Sequence, residues 1–435
     1  MMSQKLDLIS IKSQKDPKMK FTSLAHLINK ESLFECYGQL KLNKACGIDG
    51  LTVEDYGQNI NENLDKLVSG LKSKTWQPLP VRRTYIPKPG KDEKRGLGIP
   101  DVEGKIVQMA VKNILEAIYE PCFSNSSFGF RPKRNCHQAI MMLNSDVMSK
   151  PVNYIVEVDI RKFFDRVDHY WLLRCIEERV ADPNFIWIIR KLLQAGVMED
   201  GIFYDSIVGT PQGGIASPIL ANIYMHYVLD LWFEIKFKSE VKGYASQIRY
   251  CDDFIACFEN RKEAEQYLEQ LKHRLAKFGL EVAVDKTKLL EFGRRAWHRS
   301  MKYGKKLKTF TFLGFTHYCA TSRKGNFKVV HKTSKVSFNK GVNKTKEYVK
   351  NARSIIPLKE IWKSLRARLI GHYNYFAISG NYKSLSKYYI CIVKLVFKWI
   401  NRRSQKKSMN WEQFTNYLHL FPLPKPRIVH AFYKF

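Results

Sequence analysis

Residues 246–258 read SQIRYCDDFIACF, in which two adjacent aspartates separate an aromatic run from an apolar one. So short a break between runs rich in Ile, Tyr and Phe predicts a strand, a tight turn and a second strand, with Asp252 and Asp253 at the tip. Like charges at contact distance repel, and burial makes each carboxylate harder to ionise. A fold that accepts this pair needs a compensating positive charge.

The chain offers a third aspartate in a matching setting. NYIVEVDIRKFFDRVDHYWLLRCI (153–176) opens as an alternating strand that stops at Asp159, with a helix expected from near Asp168. Three carboxylates at strand ends can bind two divalent cations, which lower the barrier to in-line phosphoryl transfer by activating the attacking 3′-hydroxyl and sharing the charge of the transferred phosphate. Mg²⁺ suits such oxygen donors, Mn²⁺ can substitute, and the metal would be the missing positive charge. An isolated Asp-Asp dipeptide is more often a solvated turn, so the reading depends on its neighbours.

Those neighbours follow in order. The first 75 residues read as helical, with a loop at KACGIDGLT (44–52). VRRTYIPKPGKDEKRGLGIP (81–100) reads as a strand, a Pro/Gly/Lys hairpin tip and a second strand, and residues 102–123 as a helix ending near Pro121. DSIVGTPQGGIASPILANIYMHYVLDLWF (205–233) reads as a strand, a Gly/Pro turn and a long apolar helix. A helix running into a strand follows the aspartate hairpin. After FTFLGFTHY (310–318) the pattern turns mostly helical and basic.

Charge sharpens the division. Residues 294–435 hold 32 Lys and Arg against 3 Asp and Glu, a net of +29, which leaves +3 for the rest of a chain whose net charge is +32. That region also carries Trp362, Tyr373, Tyr375, Phe376, Tyr388, Tyr389, Phe397 and Trp399, too many aromatics for a disordered tail. A folded module for a polyanion, nucleic acid, is the reading. Nine cysteines without a C-x-x-C pair outline neither a disulfide framework nor a zinc site. With no signal-peptide core and no long apolar run, the expected address is the bacterial cytoplasm or an organelle matrix, with no membrane partner.

At this point the sequence resembles reverse transcriptases. RYCDDFIACF resembles their Y-x-D-D box, and EVDIRKFFDRVDH their preceding aspartate block. GTPQGGIASPILANIYMHYVLD resembles the glutamine-glycine turn and helix of the group II intron enzymes; IPKPGKDEKRGLGIP, FGFRP and FTFLGFTHY match further blocks in the family's order. Cys251 stands where this family mostly has alanine, which bears on fidelity rather than activity. The resemblance implies an α+β right-hand polymerase: an N-terminal extension (1–75), fingers and palm (76–317), and a helical thumb/maturase domain (318–435) with at most a short DNA-binding segment.

It also implies roles. Asp159, Asp252 and Asp253 would hold two metals, with the Ile160 carbonyl a further ligand. Phe164 matches the steric gate against a ribose 2′-hydroxyl, while Phe163, facing the other way, is expected in the core. Gln212 would touch the incoming nucleotide, and Lys88 and Arg95 would grip its triphosphate. Lys286 in VDKTK is the candidate proton donor to pyrophosphate, with Lys288 its rival. FLGF (312–315) resembles the primer grip, where Gly314 permits close backbone approach.

Residues 358–403, anchored by GHYNYF and KWINRR, resemble the maturase segment of group II intron proteins. The implied partners are group II intron RNA, an RNA template, a DNA primer or target, and dNTPs. The sequence through FPLPKPRIVHAFYKF shows no cysteine-paired HNH motif, so the expectation is that the chain does not cut the second DNA strand itself. The leading expectation is an RNA-directed DNA polymerase that assists intron splicing and supports retrohoming. The competing readings are a splicing-only maturase and a polymerase recruited to host defence or repair.

Overall fold

The computed structural model describes residues 2–87, 94–199, 201–205, 208–209, 213–403 and 408–432. Helices and antiparallel sheets are mixed along the chain, an α+β fold. Among the described residues eleven strands form three sheets: β1 (Val81–Pro87), β2 (Lys94–Ile99), β3 (Tyr154–Val158), β4 (Val197–Glu199), β5 (Ile202–Tyr204), β6 (Ala245–Tyr250), β7 (Asp253–Phe258), β8 (Lys288–Glu291), β9 (Phe310–Phe312), β10 (Phe315–Thr321) and β11 (Phe327–Thr333). Their orders are β2-β1-β4-β5, β6-β7-β3-β8 and β11-β10-β9. The chain divides into two compact units, Met1–Ala139 with Val156–Ala256 and Lys262–Lys288, and Ile140–Ile155 with Cys257–Arg261 and Leu289–Phe435. The division at 288/289 lies near the composition shift at residue 294.

In the first unit the helix Val102–Tyr119 is buried along most of its length, from Val102 and Ile106 to Ile118 and Tyr119. Asp101 caps it, accepting from the Gly104 amide. β1 and β2, the two strands expected over 81–100, pair antiparallel with Arg82 opposite Ile99 and Ile86 opposite Arg95. Asp168 caps the helix His169–Glu177 where a helix start was expected.

Two expectations change. The apolar segment after Gly213 is α-helical only over Ser217–Met225; it continues as π-helical turns at His226–Asp230 and Trp232–Phe237. The strand expected before the Gly/Pro turn is represented, among the described residues, by a single bridge between Val208 and Asp168.

In the second unit, strand structure persists well past residue 318. β10 and β11 pair in register through His317 and His331, and the next helix after β11 begins at Lys335. Lys328, His331 and Lys332 disguise β11 as polar, yet His331 is fully buried and shares a 3.0 Å hydrogen bond with buried His317. Four helices follow: Lys335–Ala352, Leu358–Phe376, Tyr382–Ile400 and Trp411–Leu420. Ile361, Leu365 and Leu369 from one helix meet Leu385, Ile392 and Val396 from another in a common core. The basic side chains are thereby left to the surface.

Candidate active site

β6 and β7 are joined by only two residues, Cys251 and Asp252, so the aspartate pair sits at a hairpin tip as the sequence predicts. Cys251 has φ of 62°, a left-handed conformation that costs a non-glycine residue roughly 1 kcal/mol or more. The surrounding contacts hold it there. Arg249, wholly buried in β6, donates from Nε to Asp230 Oδ1 (2.8 Å) and from Nη2 to Asp230 Oδ2 (2.5 Å). Its Nη1 donates to the Cys251 carbonyl (3.0 Å) and to Asn222 Oδ1 (3.1 Å). Asn222 Nδ2 in turn donates to the Gly129 carbonyl at 2.8 Å.

The F-G-F-R-P loop is thus fastened behind the turn. The Phe128 amide donates to the Arg249 carbonyl (2.9 Å) and the Arg249 amide to the Ser126 carbonyl (2.8 Å). A Cβ on Gly129 would lie 2.4 Å from the Cys251 nitrogen, so only glycine fits there. Arg249, Asp230, Asn222 and Gly129 received no role from the sequence. The one available signal was an arginine in the strand that leads into the aspartate turn.

Asp159 follows β3, and Glu157 lies two residues earlier on the same face of the strand. Burial pushes the Asp253 carboxyl up to about 7, and the charges of Asp252, Asp159 and Glu157 add to the shift, although the residue as a whole remains open to solvent. Asp252 is also raised, first by burial and then by Asp159, with Arg95 on β2 opposing. Glu157 is raised by burial and by Asp159 and relieved by Lys288. Lys286 Nζ lies 2.5 Å from Asp159 Oδ2. The two rival lysines therefore differ in place: Lys286 meets Asp159, whereas Lys288 acts on Glu157.

These donors fit a divalent cation in kind, being hard oxygens whose mutual repulsion a cation would relieve. As the side chains stand, no group of three or more His, Cys, Asp or Glu among the described residues is disposed to hold a metal, and an ammonium occupies Asp159. Metal entry would require Lys286 to give way at Asp159.

Phe163 is buried and Phe164 half-buried, with ring centroids 5.2 Å apart in an edge contact. The Gly209 amide donates to the Val167 carbonyl at 2.8 Å, seating the start of the glutamine-glycine turn beside Phe164. Past its other end, Gly213 (φ 110°) approaches the Gly98 carbonyl of β2, 2.9 Å from where a Cβ would be. Gln212 itself and Lys88 lie outside the described residues. Ile160 is buried and bridged to Val282, and the Ala283 amide donates to the Asp159 carbonyl at 2.8 Å, fixing the backbone beneath the carboxylate. Gly314 belongs to the second unit. With φ of 78° it turns β9 into β10, and a Cβ there would lie 3.0 Å from Ser337 Oγ.

Residues 86–317 match the family described as reverse transcriptase (RNA-dependent DNA polymerase). The chain is 34% identical over 273 residues to the group II intron-encoded protein LtrA of Lactococcus lactis subsp. cremoris, covering 62% of this chain and 44% of that protein. It is 29% identical over 330 residues to protein YkfC of Escherichia coli (66% and 86% covered). To nuclear intron maturase 4, mitochondrial, of Arabidopsis thaliana it is 26% identical over 232 residues (52% and 28% covered). The chain spans less than half the length of the Lactococcus relative. The chain belongs to the reverse transcriptase family. Within that family its likeness is to the group II intron-encoded reverse transcriptase/maturases. Among the described residues no helix is long and apolar enough to cross a membrane.

Proposed function

We propose that this chain is an RNA-directed DNA polymerase that also binds group II intron RNA, assists its splicing and copies it by target-primed cDNA synthesis. The observation that carries the reading is the crowding of Asp159, Asp252, Asp253 and Glu157 beside Lys286 at the hairpin tip, in a chain of this family. The layout that goes with it has fingers and palm over 76–317 and a thumb/maturase domain over 318–435.

Asp159, Asp252 and Asp253, with the Ile160 carbonyl, would hold two Mg²⁺ ions, replaceable by Mn²⁺. When bound, such ions activate a primer 3′-hydroxyl and share the charge on the transferred phosphate. The 3′-oxygen forms a bond to the α-phosphorus of a dNTP as the bond to the bridging oxygen breaks and pyrophosphate leaves. Lys88 and Arg95 bind the triphosphate by charge, and Gln212 orients the nucleotide. The Phe164 ring crowds a 2′-hydroxyl, favouring dNTPs. Lys286 Nζ delivers a proton to the departing pyrophosphate oxygen. Gly314 admits the primer backbone, and the basic second unit takes the phosphates of folded RNA. The setting would be a bacterial cytoplasm or an organelle matrix.

The test is extension of a labelled DNA primer annealed to an RNA template, with dNTPs and Mg²⁺. Template-length cDNA is expected. No product with Mg²⁺ or Mn²⁺, while RNA binding persists, would overturn the polymerase reading. Splicing of a group II intron transcript with and without the protein tests the second activity by itself.

A further inference from the structure

In the second unit, residues 421–430, FPLPKPRIVH, run back along the helix Leu358–Phe376 after the last helix ends. Pro422, Pro424 and Pro426 have no amide to donate, and their rings restrict φ, which favours an extended strap. Side chains of the helix satisfy the strap's carbonyls. Trp362 Nε1 donates to the Phe421 carbonyl (2.8 Å), Arg366 Nη1 to Pro422 (2.5 Å) and the Tyr373 hydroxyl to Pro424 (3.1 Å). At the far end the Val429 and His430 amides both donate to the Ala377 carbonyl, at 2.8 and 2.9 Å.

Strap and helix line an open cavity of about 390 Å³. Arg366, Ile370 and Tyr373 line it from the helix, and Lys425, Arg427 and Val429 from the strap. Three cationic side chains face it with no acidic residue in its lining. Ile370 and Val429 are 46% and 42% exposed, so an apolar surface is left open beside the charges. A site for a bare inorganic anion has no use for that surface, and a site for an apolar ligand has no use for three cations. A nucleotide presents both a phosphate and a flat base, and the cavity lies within the size range of small-ligand sites. A base stacked and paired in a duplex cannot enter a concavity, whereas one splayed from a single strand can.

We propose that this cavity binds one unpaired nucleotide of a single-stranded RNA. Arg366, Lys425 and Arg427 hold the phosphates, and the base lies against Ile370, Val429 and the edge of Tyr373. The inference rests on the RNA-binding part of the proposed function and gives it a specific form, in which the second unit reads single-stranded character through this pocket.

The test uses the full chain and a fluorescent twelve-nucleotide oligouridine, single-stranded or paired with its complement, without dNTPs. Ile370→Trp fills the cavity without changing charge; Val429→Phe does so from the strap and stands in should the tryptophan variant unfold. Arg427→Ala removes a phosphate contact, and Lys359→Ala, outside the cavity, is the charge control. Each filling variant is expected to weaken single-strand binding about tenfold, the scale of one lost base contact, while duplex binding stays at the wild-type level. Arg427→Ala should weaken single-strand binding more than Lys359→Ala does. Wild-type single-strand binding by a folded filling variant, or equal losses for single strand and duplex, would overturn the proposal. Primer extension by the same preparations keeps the two readings apart, since a wild type that binds RNA but does not extend counts against the polymerase and not the cavity.

Discussion

Arg249 and Asp230 form a two-point ion pair in the interior behind the Cys251–Asp252 turn, at 2.8 and 2.5 Å, with both side chains almost wholly excluded from solvent. The remaining guanidinium nitrogen reaches the carbonyl of the left-handed Cys251, so the pair bears directly on how the two aspartates are presented. Asp230→Ala leaves a buried guanidinium without its counter-charge and is expected to cost about 3–5 kcal/mol. Asn222→Ala removes one relay of the network and should cost about 1–3 kcal/mol. Chemical denaturation checks both, and polymerase activity in Asn222→Ala should fall more than its stability loss explains. Unchanged stability in Asp230→Ala would contradict the buried pair.

The Asp253 carboxyl, raised to about 7, makes a pH prediction whose sign follows from linkage. Its folded-state value lies above that of an ordinary carboxyl near 4, so the folded chain holds a proton that the unfolded chain has lost. In metal-free buffer this group's contribution to stability is full below about pH 4 and is lost as pH rises through about 7. A divalent cation must displace that proton, so its stabilising effect should be larger at pH 8 than at pH 6. Melting temperatures with and without Mg²⁺ at the two pH values measure it. An equal Mg²⁺ shift at both would contradict the crowded carboxylates.

Phe164 is half-buried at the site, while its neighbour Phe163 is core. Phe164→Val should raise incorporation of rNTPs relative to dNTPs with little effect on stability. Phe163→Ala should instead cost about 3–5 kcal/mol. Competition assays on an RNA template read the first effect and denaturation the second. Unchanged sugar selectivity in Phe164→Val would remove the steric-gate role.

Lys286, against Asp159, is separated from Lys288, which acts on Glu157. Lys286→Ala is expected to lower the rate of nucleotide addition by about 10²–10⁴-fold, the usual weight of a general acid, with Lys288→Ala much milder. Single-turnover rates decide between them. A reversed order would make Lys288 the donor.

The hairpin and its aspartate tip were legible because strand pattern and a short break are local features that sequence displays directly. Phe163 is buried as expected, but it and Phe164 open a short helix with their rings in edge contact rather than facing opposite ways. Glu157 was legible in principle, two residues before Asp159 on one strand face, but its charge suggested solvent. Arg249 and Asp230 stand 19 residues apart in different elements, and only the fold brings them together. The π-helical turn that carries Asp230 leaves the same apolar pattern as an α-helix, so periodicity could not reveal it. β11 escaped notice because burial of His331 depends on its partner His317 across the sheet, a relation outside any local window.

The paired aspartates of the hairpin tip are expected to carry DNA synthesis. The most direct measurement compares wild type with Asp252→Asn in single-nucleotide addition to a DNA primer on an RNA template with Mg²⁺, alongside binding of the same RNA. Addition by the wild type, none detectable by the variant, and equal RNA affinity for the two are expected. Addition by the variant at the wild-type rate would contradict that role.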